Sequence, residues 1–445
     1  MLFVAVMLGL LSVARYRGYN VGMKDLGRMS QAIWSVTRGQ PLVMTSRYGA
    51  QSRLALHVEL FYFLLVPLYA LFSSPITLLL FQTGLFVSGA IPLYVLARRR
   101  LGDALLAGVV ALIYLFYPVA QTAVLFDFHG DTLAMPLLLF AIESLDRQAW
   151  KNYALWIALA LSCKLYVAAP VAVLGGMLWL QGRRRVGMVT FLAGVGWGVV
   201  AFWGVRALFA PTTGGEVATT ASGYLSFYFG TLWQELPTSL LARGLVAGIV
   251  FLPVTVVAWH APLWLLPAAA VGLPALLSTG PGPSYYYGYH HYALAVPFLM
   301  AAVVYGSVRV KRQSPAQRTF VLLVGLMLTI LLNSFFVDTP LNPNFWKAKG
   351  GQGLAATKYG RTSRDALKDL WLCTSVPEGS PLAASVMLAP HLSNRSTLYL
   401  TDYLPEHSGD IMVAVPDALF DYVNLFADGS FEGGPCTTCR LSAHC

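Results

Sequence analysis

Long apolar runs constrain the fold of this chain more than any other feature. ITLLLFQTGLFVSGAIPLYVLA (residues 76–97) and FVLLVGLMLTILLNSFFV (residues 320–337) approach or exceed the roughly 20 residues that cross a bilayer core as a helix. Because these runs are continuous rather than alternating, they predict membrane helices and not barrel strands. Hydrophobic residues make up 57% of the chain and charged residues 11%, whereas soluble domains are roughly 45–50% apolar. A soluble protein is therefore excluded.

The formal net charge of +10 does not indicate nucleic-acid binding. The basic residues of the chain cluster in short loops beside apolar runs, at residues 98–100, 183–185 and 310–318. This pattern sets membrane orientation. With these clusters in the cytoplasm, hydropathy predicts about eleven transmembrane helices in the inner (plasma) membrane. Residues 1–14 form a retained first span, and two short helices meet near Lys164 and Pro170.

The composition changes after residue 337. We therefore predict an all-α polytopic membrane domain over residues 1–337, with a first outer loop at 15–75, and a small extracytoplasmic α/β domain over residues 338–445. In the latter, TSRDALKDLWLCTSV and PDALFDYVNLF are predicted helices, and PLAASVML and STLYLTDYL are predicted strands.

Four of the five cysteines belong to this last domain: Cys373, Cys436, Cys439 and Cys445. Disulfides are permitted outside the cytoplasm, so disulfides or free thiols are favoured. The alternative is a zinc knuckle in CTTCRLSAHC that uses His444.

The stretch FDFHGD places Asp127, His129 and Asp131 between two apolar runs. An ionisable group inside a span costs roughly 2.5–3.5 kcal/mol, so such groups are functional candidates and tend to line a hydrated cavity. The alternative is a polar hairpin cap, with Asp131 as the N-cap of the next helix. The same membrane face is predicted to hold six further groups: Asp25, His57, Glu59, Lys164, His290 and His291. Convergence of ionisable residues on one face is what an active site requires.

These groups also have structural interpretations. Asp25 can pair with Lys24 or Arg28, and His57 and Glu59 can cap an interfacial helix. YYYGY before His290 can form an aromatic belt at the headgroup level.

KDLGRMSQAIWSVTRGQP, YPVAQTAVLFDFHGDTLAMPLLL, SCKLYVAAPVAVLGG and LAPHLSNRSTLYL resemble a family of predicted prokaryotic membrane proteins defined only as a domain of unknown function. That family is similar to the polyprenyl-phosphate-sugar glycosyltransferases of the GT-C fold, including protein mannosyltransferases and the aminoarabinose transferase of lipid A. The resemblance implies a GT-C-like fold. It also implies catalytic roles for Asp25, as general base or metal ligand, for Asp131, and for Lys164, as contact to the lipid phosphate. The Gly-Pro that follows this lysine in the glycosyltransferases is replaced by Leu165 and Tyr166.

On this interpretation, Lys164 and arginines neutralise the phosphate of a lipid-linked sugar, while a low-dielectric setting raises the pKa of Asp25. The predicted substrate-binding residues are Arg28, Arg47, Arg53, His290 and His291. A divalent cation (Mn, Mg or Zn) is predicted on His57, Glu59, Asp127 and His129, since mixed nitrogen and oxygen ligands suit these ions.

Three functions remain open. The first is a glycosyltransferase that moves a sugar from a polyprenyl-phosphate donor in the membrane to an extracytoplasmic acceptor. The second is a non-catalytic subunit that acts as scaffold or assembly module of a larger membrane complex. The third is a lipid or solute transporter, which is disfavoured because the charges gather at one side of the membrane rather than at its midplane.

Overall fold

The structure is a computed structural model of the chain. It describes residues 1–45, 49–210, 220–280, 284–347, 358–401 and 412–414, without the side chains of residues 311–313 and 412–414. Helices dominate these residues. One large hydrophobic cluster runs through the helical bundle, and two smaller clusters lie in the C-terminal part and around Val58, Leu165 and Ala201.

Nine helices occupy the described residues of the first part of the chain. They are α1 (Leu2–Arg17), α2 (Arg28–Val36), α3 (Tyr62–Leu71), α4 (Pro75–Ser88), α5 (Ala90–Leu101), α6 (Ala104–Leu115), α7 (Pro118–Leu125), α8 (Gly130–Asp146) and α9 (Trp150–Cys163). A π-helical turn, Met23–Gly27, precedes α2, and a short antiparallel pair, β1 (Val43–Met44) and β2 (Gln51–Ser52), follows it.

The remaining described helices complete the bundle and begin the C-terminal part. They are α10 (Ala168–Leu180), α11 (Arg184–Val199), α12 (Arg206–Phe209), α13 (Ala221–Phe229), α14 (Leu232–Ala258), α15 (Leu265–Leu277), α16 (Val296–Gln313), α17 (Pro315–Phe336) and α18 (Ser363–Ser375).

Within the described ranges, five helical stretches are long and apolar enough to span a membrane: Pro75–Leu101, Arg184–Phe209, Leu232–Ala258, Ala293–Val310 and Pro315–Phe336. Helices α6 and α7 add a sixth if their 46° bend lies within one span. The predicted count of about eleven is therefore not confirmed. Hydropathy counts apolar residues and ignores backbone interruptions, so it treats short helices such as α10 and α15 as full spans.

Helix α8 connects the two ends of the bundle. At one end, Gly130 packs so closely on the end of α9 that a Cβ atom there would lie 2.3 Å from the carbonyl oxygen of Cys163. At the other end, Asp146 pairs with Arg99 and Arg100 and accepts a hydrogen bond from Tyr305. At 1.5 Å per residue these ends are about 25 Å apart.

The break between α9 and α10 lies at Lys164, where the short hairpin was predicted, whereas Pro170 lies inside α10. Lys164 itself is extended, with φ −167° and ψ 146°. The helix break directs this lysine into the protein instead of onto a helix surface.

Among its described residues, the C-terminal part contains a three-stranded parallel sheet in the order β4–β3–β5. The strands are β3 (Leu382–Ala384), β4 (Leu398–Leu400) and β5 (Met412–Ala414). Leu382 is in register with Leu398 on one side and with Met412 on the other. Helix α18 begins with a capping box between Thr362 and Asp365. These elements agree with the predicted α/β content, and the extracytoplasmic location of this part stays a prediction.

Several predictions for the C-terminal part fall outside the described residues. They concern the helix PDALFDYVNLF and Cys436, Cys439, His444 and Cys445. Cys373 is disulfide-bonded.

Candidate functional site

Asp25 lies on the π-helical turn between α1 and α2. Single π-helical turns are frequent at functional sites. Its Oδ1 atom is 3.1 Å from Nε2 of His129. The Asp25 side chain is 33% exposed and that of His129 4%. Asp25 is therefore the accessible member of the pair, and His129 supports it from inside the protein.

The protonation of this pair follows from its hydrogen bonds. Nδ1 of His129 is 3.1 Å from the carbonyl oxygen of Phe126, which can only accept, so Nδ1 carries a proton. Burial alone would raise the pKa of Asp25, but the hydrogen bond and charge of His129, with the charges of Arg28 and Arg53, hold that pKa below its usual value. Asp25 is consequently ionised, and its carboxylate accepts a hydrogen bond from Nε2 of His129. The expectation of a raised pKa for Asp25 is wrong because opposite charges outweigh desolvation.

His290 connects this pair to Asp131. Its ring stacks on the ring of His129, with the centroids 3.6 Å apart and the planes 19° apart. Its Nδ1 atom is 2.5 Å from Oδ2 of Asp131. Burial, followed by the charges of His129 and Lys164, lowers the pKa of His290 well below its usual value. His290 is therefore neutral and donates its Nδ1 proton to Asp131.

Lys164 completes the cluster by donating to Oδ2 of Asp131 at 2.8 Å. Both side chains are buried, and Oδ1 of Asp131 has no hydrogen-bond partner among the described residues. Gly130 makes the contact possible, because any side chain there would separate α8 from the end of α9. The three predicted catalytic residues, Asp25, Asp131 and Lys164, thus lie in one continuous cluster through His129 and His290.

Arg15 holds Asp127 beside this cluster. Its guanidinium lies 3.1 Å from Oδ1 of Asp127 and donates to the carbonyl of Leu125, while the amide of Gly22 donates to Oδ2 of Asp127. Asp127 has a left-handed φ of 49°, which is uncommon outside glycine. Arg15 was not predicted, because an arginine at the end of an apolar helix has the pattern of a membrane flank.

The predicted substrate-binding residues have different environments. Arg53 forms a two-bond pair with Glu59, at 2.7 and 3.0 Å, inside the protein. Arg28 is buried, with its charge near Asp25. His291 donates from Nδ1 to the carbonyl of Ser284 at 2.8 Å. Arg47 lies outside the described residues.

The four predicted metal ligands are not brought together. Glu59 is bound to Arg53, Asp127 to Arg15 and His129 to Asp25. The ring of His57 instead lies 5.4 Å from that of Tyr166. In the part of the chain that the structure describes, no group of three or more His, Cys, Asp or Glu residues is arranged to hold a metal ion. The residues present therefore do not fit the predicted cation, because each carboxylate already has a cationic partner.

The comparisons with known proteins agree with this fold. A family model described as "Predicted membrane protein (DUF2079)" matches residues 19–421, which confirms the family resemblance. ArnT from Cupriavidus metallidurans bound to undecaprenyl phosphate is similar with a TM-score of 0.54 at 16% identity, over 89% of this chain and 85% of that chain. Its apo state gives 0.53 at 15% identity, over 96% and 90%. No curated protein sequence matches the chain. At these identities the likeness to ArnT concerns the fold alone.

Proposed function

We propose that this chain, which belongs to the DUF2079 family of predicted membrane proteins, transfers a sugar from a polyprenyl-phosphate donor to an extracytoplasmic acceptor. One observation carries the proposal: an accessible carboxylate, Asp25, and a buried ammonium, Lys164, belong to one hydrogen-bonded and stacked cluster. Undecaprenyl phosphate, the lipid bound to ArnT of the same fold, motivates the choice of donor.

Asp25 is the proposed general base. The acceptor hydroxyl attacks the anomeric carbon and gives its proton to Asp25, while the bond between that carbon and the phosphate oxygen breaks. The hydrogen bond from His129 holds the pKa of Asp25 low, so Asp25 is ionised before the proton arrives. Attack opposite the leaving group inverts the anomeric carbon, so a single-displacement product is expected.

Lys164 is the proposed contact for the phosphate. An ammonium has three donors, and Asp131 accepts one of them. The others can bind oxygens of the polyprenyl phosphate and stabilise the charge that develops as it leaves. Asp131 and His290 would fix the direction of the ammonium.

The proposed orientation places this cluster at the outer membrane face. Basic residues gather at the opposite end of α8, where Arg99 and Arg100 bind Asp146 and Arg183 donates to the carbonyl of Leu145. Basic residues mark the cytoplasmic end of membrane helices. The C-terminal part, which contacts the residues around Asp25, would then be extracytoplasmic.

A specific observation favours the scaffold as a second candidate. Asp131 neutralises Lys164 and Glu59 neutralises Arg53 before any phosphate arrives. A chain that keeps the fold and has lost its donor site would show the same compensated charges.

Transfer from undecaprenyl-phosphate-linked sugars by the purified, reconstituted protein tests the proposal. Asp25→Asn should reduce kcat by about 100-fold or more, the scale of a lost general base. Lys164→Ala should reduce both kcat and donor binding. The matched controls Glu235→Gln and Lys151→Ala alter exposed residues outside the cluster and should leave transfer unchanged. Product formation that survives both cluster substitutions would favour the scaffold.

A further inference from the structure

We propose that residues 385–395, here named the docking segment, position Asp25 for catalysis by holding the turn that carries it. This inference rests on the proposed function, because it assigns a positioning element to the same site. The docking segment follows strand β3 and includes the 3-10 turn Ala389–Leu392. It contacts the chain before, within and after the π-helical turn that carries Asp25.

The π-helical turn is bonded directly to the docking segment. The amide of Met23 donates to the carbonyl of Val386 at 2.8 Å. A Cβ atom on Gly27 would lie 3.3 Å from Cα of Pro390, so the two backbones lie close together at this point. Met23 is fully buried in the hydrophobic cluster of the C-terminal part, together with Leu388. Both ends of the five-residue turn are thus held by the same segment.

An aromatic stack secures the chain that leads into the turn. The ring of His391 lies between those of Tyr16 and Tyr19, with centroid distances of 4.2 and 4.0 Å and interplanar angles of 22° and 23°. Tyr19 has a left-handed φ of 55°, which a residue with a bulky side chain rarely adopts. Its hydroxyl also donates to Asp369 at 2.6 Å. The stack therefore fixes a strained backbone six residues before Asp25.

Hydrogen bonds secure the helix that follows the turn. The hydroxyls of Ser30 and Ser393 are 2.8 Å apart, and Gln31 donates to the carbonyl of Arg395 at 3.0 Å. Ser30 and Gln31 lie on α2 and are buried. Buried polar groups need such partners, because leaving one unpaired costs about 1–3 kcal/mol. The docking segment supplies one partner to each of the two side chains, beside Tyr69 for Ser30 and Thr45 for Gln31.

Together these contacts leave Asp25 little freedom of position. A single π-helical turn is a departure from regular helix, so its geometry depends on the structure around it. His129 contacts the Asp25 carboxylate itself, and the docking segment holds the backbone on which the carboxylate is mounted. A displacement of about 1 Å at a reacting group can cost about 100-fold in rate. The docking segment therefore acts on kcat through Asp25 without touching the substrate.

The test compares three substitutions in the full-length reconstituted protein. His391→Ala removes the ring between the two tyrosines, and His391→Phe keeps an aromatic ring there. Met387→Ala changes an exposed residue of the same segment and is the matched control. Hydrogen exchange of the amides at residues 22–28, transfer kinetics with an undecaprenyl-phosphate-linked sugar, and binding of undecaprenyl phosphate are measured for each.

For His391→Ala we expect amide exchange at residues 22–28 to rise about tenfold and kcat to fall about 10- to 100-fold. The donor KM and undecaprenyl phosphate binding should stay as in the parent protein, because Lys164 lies elsewhere in the cluster. His391→Phe should restore kcat, and Met387→Ala should behave as the parent. If His391→Ala does not fold, Ser393→Ala replaces it and removes only the hydroxyl contact with Ser30.

Unchanged exchange and unchanged kcat in these variants would overturn the positioning role. A loss of donor binding equal to the loss of kcat would also overturn it, because the effect would then not be specific to Asp25. If the parent protein transfers no sugar, the proposed function fails. The exchange measurement then still decides whether the docking segment holds the turn.

Discussion

Asp25 and His129 show how a single pair can set the chemistry of a site. Nδ1 of His129 lies within hydrogen-bond distance of a carbonyl, and Nε2 lies within hydrogen-bond distance of the Asp25 carboxylate. The hydrogen bond and charge of His129, with the charges of Arg28 and Arg53, hold the pKa of Asp25 below its usual value against the effect of burial. A carboxyl group of this kind stabilises the folded state above its unfolded pKa, and this contribution is lost as the pH falls through the lower folded pKa.

His129→Gln tests this electrostatic role at the scale of the residue. Glutamine can still donate a hydrogen bond to Asp25 but carries no charge, so the pKa of Asp25 should rise toward its usual value. Because the proposed base must be ionised, the acidic limb of kcat/KM should move to higher pH, by about one unit. A pH profile of transfer measures the shift. A limb at the same pH in parent and variant would show that His129 does not tune Asp25.

At the scale of the element, the important feature is where helices end. Lys164 reaches Asp131 because α9 stops at Cys163 and α8 begins at Gly130, whose missing side chain lets the two helix ends touch. Helix α8 then extends to Asp146, where the basic residues of α5 bind. One helix thereby places the candidate site and the basic cluster at opposite ends of the bundle.

Gly130→Ala tests the contact between these helix ends. The new Cβ atom would lie 2.3 Å from the carbonyl oxygen of Cys163, so the helices must separate. Overpacking of this kind costs about 1–3 kcal/mol, and we expect a lower melting temperature in detergent together with weaker transfer. Gly108→Ala in α6 is the matched control, because a Cβ atom there meets nothing within 4 Å. Equal melting temperatures for the two variants would contradict the close approach.

At the scale of the whole molecule, the candidate site joins segments that are remote along the chain. It takes Asp25 from the turn before α2, His129 and Asp131 from the start of α8, Lys164 from the end of α9, and His290 from the loop before α16. A ligand that contacts several of these segments would stabilise the entire bundle by mass action.

Undecaprenyl phosphate should therefore raise the melting temperature of the reconstituted protein. Saturation to about 100 times its Kd corresponds to about 2.7 kcal/mol of added stability. Undecaprenol, which has the same chain without a phosphate, should give a smaller shift, and Lys164→Ala should remove the difference between the two lipids. An equal shift with both lipids would show that the protein recognises the polyprenyl tail and not the phosphate.

The site was only partly predictable. The sequence predicts FDFHGD and Lys164 as site residues, because a charged residue within an apolar segment raises the free energy of membrane insertion and is therefore a functional candidate. Arg53 and Glu59 are six residues apart, and the sequence predicts separate roles for them, substrate binding and metal binding. In the structure they pair with each other. The stacking of His129 on His290 has no local signal at all, because it depends on how α8 and the chain before α16 pack.

The sequence by itself determined the membrane class, the helical architecture and the family, because hydropathy and residue order are properties of each local segment. Only the tertiary structure decided which charges pair, how many helices are long enough to span, and what supports Asp25. These outcomes depend on interhelical distances of a few ångströms between segments remote in sequence. A single missing Cβ at Gly130 or Gly27 can set such a distance, and hydropathy does not register it.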